Sequence, residues 1–311
     1  MKKLGLILCF FSMMGWGGLA AQDCEISLMA LAKRNDSTPE AALKYMVNRL
    51  CNSVCRDGVA ASSDYSQFIV VAEASPLFED VAPGPPAKIA LRLSVDLYIA
   101  DQIGKKVFES VNMEMKGVGE TKERAYINAL KGLNGNNRVI AGFISDGKAA
   151  IVNYYDTQYP NIIKEAERNV ALKNYEKALF DLCAVPVCCK GYDRVSDVIV
   201  KVYKEYIDYN CSKLIMKART AWAESPDSYG AGVAGEYLNM IDPSAECYGD
   251  AMSLYKEIKN KVKDDWNFEM REKYKDELGV RKQLIEAAKA VGVAYGNGQQ
   301  PVTTNIMWLR R

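Results

Sequence analysis

The chain has 311 residues, no histidine, and 40 basic against 39 acidic side chains. Without imidazole it holds no Ser-His-Asp or Cys-His nucleophile pair and no His-ligated zinc site. The near-neutral balance offers no basic excess for nucleic acid or an anionic membrane.

Lys2 and Lys3 precede an apolar run from Leu4 to Trp16, which the small residues Gly17-Gly18-Leu19-Ala20-Ala21 close. This layout predicts a cleavable secretory signal over residues 1–21, since the run is shorter than the roughly 20 apolar residues of a spanning helix. The processed chain is expected to start near Gln22, to have no membrane span, and to be periplasmic or secreted. Cleavage removes Lys2, Lys3 and Cys9 and turns the formal charge of +1 into −1. It leaves Cys24, Cys51, Cys55, Cys183, Cys188, Cys189, Cys211 and Cys247, an even set that predicts disulfides in an oxidising compartment.

Ile26 to Ala32 is expected to form a first short helix. Ser37-Thr38-Pro39-Glu40 then reads as a helix start, with a hydroxyl cap, a proline in the first turn and a carboxylate near the positive end of the dipole. Leu43, Met46, Val47, Leu50 and Val54 follow at helical spacing, and the helix should stop near Cys55. From Tyr65 the period changes to two. Phe68 to Ala72 predicts a strand, and Pro83-Gly84-Pro85-Pro86 interrupts regular structure. Ile89, Leu91, Leu93, Val95, Leu97 and Ile99 alternate with mostly polar residues, and Val107 to Val118 returns after a turn, giving a hairpin. A helix should follow Gly117-Val118-Gly119, with Ala125, Tyr126, Ala129, Leu130 and Leu133 as its packing face. Val139 to Ile144 reads as a short apolar piece, Ser145-Asp146-Gly147-Lys148 as a turn, and Ala149 to Tyr155 as a last strand.

After Tyr159-Pro160 only helices are expected: Ile162–Leu172, Tyr175–Ala184, Val195–Tyr209, Cys211–Ala223, Ala231–Ile241, Ala251–Val262, Trp266–Leu278 and Val280–Val293. The fold class is therefore α+β. A small antiparallel sheet domain with covering helices occupies 22–158, an all-α helical-hairpin array 159–298, and a tail 299–311.

An internal echo supports the array. A helix from Tyr175 ending in Pro186 and Cys188-Cys189 has a counterpart about 58 residues on, where Glu236-Tyr237-Leu238 leads to Pro243 and Cys247. Asn174-Tyr175-Glu176-Lys177-Ala178-Leu179 resembles the turn and second helix of a tetratricopeptide repeat, which implies that Tyr175 and Ala178 pack between paired helices. The hairpin followed by Gly117-Val118-Gly119 and an Ala-rich helix is similar to secreted domains of curli- and flagellum-associated envelope proteins.

Motifs that could carry chemistry are thin. Gly117-x-Gly119 lacks the third glycine and the Lys-Ser/Thr of phosphate loops, so it reads as a strand-to-helix turn. Ser145-x-x-Lys148 and Ser253-x-x-Lys256 lack a Lys-Thr-Gly partner motif, leaving the first as an Asp-Gly turn and the second as a polar helix stripe. Asp264-Asp265 beside Trp266 reads as a helix N-terminus, although paired carboxyls across a sugar site are what a glycosidase needs. Cys51 and Cys55 share one helix face, and adjacent Cys188 and Cys189 point to different partners. Three of the processed chain's cysteines precede the sheet and five follow it, so complete pairing requires a bridge between the two regions.

The expected function is a non-enzymatic protein-binding or assembly scaffold of a bacterial envelope, with a protein or peptide partner and no cofactor. Trp222, Tyr229, Tyr237 and Tyr248 are candidates for its partner surface, with ordinary helix packing as their alternative role. A carboxylate-dependent cell-wall hydrolase is the second expectation.

Overall fold

The computed structural model describes residues 26–54, 67–271 and 277–299. The predicted signal, Cys24, Cys55, Tyr65 and the tail from residue 300 lie outside the described residues.

The fold is α+β. Strands β1 (Met29–Ala32), β2 (Phe68–Ala82), β3 (Lys88–Asp101) and β4 (Lys106–Gly119) form one sheet in sequence order. Residues 26–32 are not the expected helix. Ile26, Leu28 and Ala30 are buried while Ser27, Met29 and Leu31 are less so, a period of two that suits a strand. The sheet is also not wholly antiparallel, because β1 pairs in parallel with β2, Met29 opposite Ile69. That pairing needs a crossover, and helix α1 (Glu40–Val54) supplies it.

Pro39 precedes α1 and its carbonyl accepts the Ala42 and Leu43 amides. The Thr38 hydroxyl donates 2.9 Å to the Ala74 carbonyl, tying the helix start to β2. Asn35 takes the turn, its side-chain oxygen accepting from the Ser37 and Thr38 amides.

Helix α2 (Lys122–Leu130), capped by Thr121, lies across β4, and the two glycines before it explain how closely. A Cβ on Gly117 would sit 2.8 Å from Ala129 Cβ, and one on Gly119 would sit 2.7 Å from the Arg124 carbonyl carbon. Gly-x-Gly here makes room for a helix.

Residues 139–155, expected as an apolar piece, a turn and a strand, are the first half of helix α3 (Arg138–Ala171). Ile140, Phe143, Ile144, Gly147, Ile151 and Tyr155 form one buried helical stripe, and this spacing of three and four outweighs the local β-branched run. Gly147 is a contact rather than a turn, since its Cβ would come 3.2 Å from Ile99 Cβ on β3. Pro160 sits inside α3 and is exposed, and its missing N–H removes one hydrogen bond from the helix ladder. The helix passes unbroken from the sheet into the array.

Helices α4 (Tyr175–Cys183), α5 (Tyr192–Glu224), α6 (Ser228–Asn239), α7 (Tyr248–Val262) and α8 (Glu277–Gln299) complete the fold. Val195–Tyr209 and Cys211–Ala223 are one helix, α5, because the stripe Tyr203, Ile207, Cys211, Ile215, Ala218 and Trp222 is continuous through Asn210. Trp266 does not begin a helix. A 3-10 turn (Lys263–Asp265) closes α7, and residues 266–271 run without helix or strand over α6 and α7, where Trp266 packs 5.5 Å from Tyr255 and 5.1 Å from Phe268 between ring centroids.

Within the array one unit is repeated. Tyr175, Ala178, Leu182, Val185 and Cys189 are each buried, and so are Ala231, Ala234, Leu238, Ile241 and Ala245, 56 residues later. Backbone hydrogen bonds recur at the same offset: Val185 to Leu182 and Ile241 to Leu238, then Cys189 to Pro186 and Ala245 to Asp242. In the preceding long helices Ile151, Tyr155, Ile163 and Ala166 match Tyr203, Ile207, Ile215 and Ala218. Asp156 of α3 accepts the Lys190 amide at 2.8 Å, and Asp208 of α5 accepts the Glu246 amide at 2.8 Å. Each unit is thus a long helix, a short helix and a turn that the long helix clamps.

Candidate functional site

The sheet extends beyond its short parallel edge strand. β1 reaches only as far as Ala72 on β2, and past Ala74 the side chains of β2 lose their burial up to the end of the strand. β2 and β3 go on as a finger closed by the Pro83–Pro86 turn, which contains a cis Pro85-Pro86 bond, and β4 stays paired along the far side of β3 as far as Gly119 opposite Ile89. A register shift between Pro76 and Phe78 leaves Leu77 outside the ladder. Leu77 is 51% exposed, Phe78 49% and Val81 59%. Val118 on β4, 52% exposed, lies in the same cross-strand row as Asp80 and Ala90. Phe78 shares its row with Arg92 and Lys116, so this face of the finger carries apolar, basic and, at Asp80, acidic groups. Lys122 of α2 donates 2.9 Å to Glu79 and anchors the finger's base, and this hydrogen bond raises the ammonium pKa.

Of the four aromatic residues expected at a partner surface, Tyr229 is exposed and Tyr237 half-buried. Trp222 and Tyr248 are buried in the array. The Lys261 ammonium lies 5.3 Å from the Trp222 ring and the Lys217 ammonium 5.6 Å from the Tyr237 ring. The Tyr248 hydroxyl donates to the Arg271 carbonyl, and the Arg271 guanidinium reaches the Asn239 and Ile241 carbonyls, which seals the end of the second unit. The four residues do not converge on one patch: Trp222 and Tyr248 serve the core, and the exposed apolar side chains of the finger were passed over. Their signal was the run Pro76-Leu77-Phe78 beyond the paired length of a four-residue neighbour strand, and that length is not legible before the sheet is known.

A second feature lies where the sheet edge meets the array. A cavity of about 310 Å³ is lined by Ile26, which precedes β1, Phe68 of β2, Phe180 and Cys183 from α4, and Ile199 and Lys289 from α5 and α8, among others. Beside it Gln67 donates to Asp101 (2.8 Å) and to the Tyr155 hydroxyl (3.0 Å), while Asp101 also accepts the Ile103 and Gly104 amides of the β3–β4 turn. Burial raises the Tyr155 pKa, and the Asp101 charge raises it further.

The carboxylates show structural roles. Asp101 holds a turn, Asp156 and Asp208 clamp turns, and Asp227 caps α6 through the Tyr229 and Gly230 amides. Asp265 is exposed after α7, so the Asp264-Asp265 pair follows a helix rather than starting one. Burial raises the Asp181 pKa against the opposing effect of its partner Lys177, 2.6 Å away. Ser253 donates to the Gly249 carbonyl on α7, and Ser145 and Lys148 lie within α3. Among the described residues no cluster of three metal-ligating side chains occurs, and no helix is long and apolar enough to cross a membrane.

Cys211 on α5 is bridged to Cys247, the residue before α7. Cys188 is also disulfide-bonded. Cys183 and Cys189 are free thiols, each pushed up to about 12 chiefly by burial. Cys51 is half-buried on α1, and Cys24 and Cys55 lie outside the described residues.

No protein-family model matches the sequence, no curated protein matches it, and no solved structure matches the fold.

Proposed function

We propose that the protein is an exported, non-enzymatic scaffold of a bacterial envelope that binds a protein or peptide partner. The observation that carries this reading is the finger, where Leu77, Phe78 and Val81 of β2 face solvent on a strand held in register by β3 and β4. Exposed apolar groups on a braced backbone suit association, because burying them on a partner costs little ordering entropy. The open edge of β2 beyond Ala74 adds backbone donors and acceptors that an extended partner segment can pair with. The Cys211–Cys247 bridge supports an oxidising compartment, in keeping with a secretory leader.

Replacing Leu77, Phe78 and Val81 together with serine tests this reading. The triple variant is expected to keep its thermal midpoint within a few degrees and to lose the crosslink that a photoreactive residue at Asp80 forms with its partner in the intact envelope. An unchanged crosslink pattern, or turnover of cell-wall glycan by the purified protein, overturns it.

A further inference from the structure

We infer that the cavity between the sheet edge and the helical array binds a medium-chain alkyl carboxylate, with its chain in the apolar interior and its carboxylate on the Lys289 ammonium. The volume of about 310 Å³ holds about ten non-hydrogen atoms at roughly 30 Å³ per water-sized group. Phe68, Phe180, Val185 and Ile199 supply the walls, which suit a flexible hydrocarbon rather than a polar ligand.

Charge selects the head group. Lys289 is the charged side chain of the lining, and its neighbour Glu286, 3.4 Å away on the same helix, is 61% exposed. An exposed i,i+3 pair is weak, so an incoming carboxylate replaces Glu286 at little cost. The Cys183 thiol senses both groups, because Lys289 lowers its pKa and Glu286 raises it against the larger effect of burial. Thiol and ammonium thus both line the cavity, with Ser27, Gln67 and Tyr192 as uncharged polar lining. Gly292 brings α8 close to α4, where a Cβ would meet the Phe180 backbone at 3.2 Å, so this wall is held firmly.

Calorimetric titration of the processed, oxidised protein with sodium decanoate, octanoate, decylamine and 1-decanol tests the inference. Decanoate is expected to bind one-to-one, octanoate about 15-fold more weakly at roughly fourfold per methylene, and decylamine not measurably. Lys289→Met should weaken decanoate five- to tenfold and leave 1-decanol unchanged, and Lys289→Arg should restore carboxylate binding. Decanoate should also slow alkylation of Cys183, which lines the cavity, without slowing that of Cys189, whose Sγ lies against the Val152 carbonyl instead. No binding of decanoate, equal binding of decylamine, or equal protection of both thiols overturns the inference.

Discussion

Gly117 and Gly119 decide how near α2 can come to the sheet. Alanine at either position places a methyl group against backbone or Cβ atoms of α2 that cannot swing aside. Gly117→Ala is expected to destabilise the protein by about 3 kcal/mol, the upper part of the range for overpacking. Gly142→Ala on α3, where an added Cβ meets nothing within 4 Å, should stabilise it by about 0.5–1 kcal/mol. Urea unfolding of both variants checks the pair, and similar values for the two would contradict the packing argument. The same scale governs the thiols. With burial holding Cys189 near 12, little thiolate exists at pH 8, so its alkylation should be slow in the folded protein and fast in denaturant. The glycines were legible only as a turn, because the reason for them sits on another element. Likewise nothing in the letters separates Tyr229, exposed, from Tyr248, buried and bonded to Arg271.

At the scale of elements, the repeated unit explains where the disulfide sits. Cys211 and Cys247 correspond to Tyr159 and Gly191 in the first unit, and there the Tyr159 ring lies against Gly191 so closely that a Cβ would be 2.5 Å away. One contact between long helix and turn is thus made covalently in one unit and by an aromatic ring in the other. Closing a loop across a sequence separation of 36 contributes about 4 kcal/mol in the chain-entropy account. Converting both Cys211 and Cys247 to alanine should lower stability by roughly that much. Tyr159→Cys combined with Gly191→Cys should in turn form a bridge, read as a loss of two titratable thiols by mass spectrometry. If those thiols remain free, the two units are not equivalent. The echo of proline and cysteine was legible in the sequence, but at about 58 residues instead of 56, and Pro243 stands one place after the position that matches Pro186. Helices with one continuous stripe, such as α6 and α7, were legible almost to their ends. Ile26–Ala32 and Ala149–Tyr155 were misread in opposite directions, since a short apolar run carries no period of its own and only the buried set, alternate residues in one and every fourth in the other, separates them.

Across the whole molecule, the cysteines bear on how the two regions are joined. Cys183 and Cys189 are free and Cys211 is bridged to Cys247, so the partner of Cys188 comes from Cys9, Cys24 and Cys55, the cysteines outside the described residues. All three precede β2. Non-reducing peptide mapping should recover the Cys188 peptide joined to one from this N-terminal part, and recovery joined to a peptide from the array would refute the tie. The finger was not legible in the sequence, since it depends on a mismatch of strand lengths. α3 adds a mechanical consequence. At 34 residues it is about 50 Å long, packed at one end on β3 through Gly147 and at the other inside the array through Ala166. A rod seated at both ends carries force as well as position. A pull on the sheet is therefore expected to reach the array along α3, so that under tension the molecule should turn as one piece before any part of it yields.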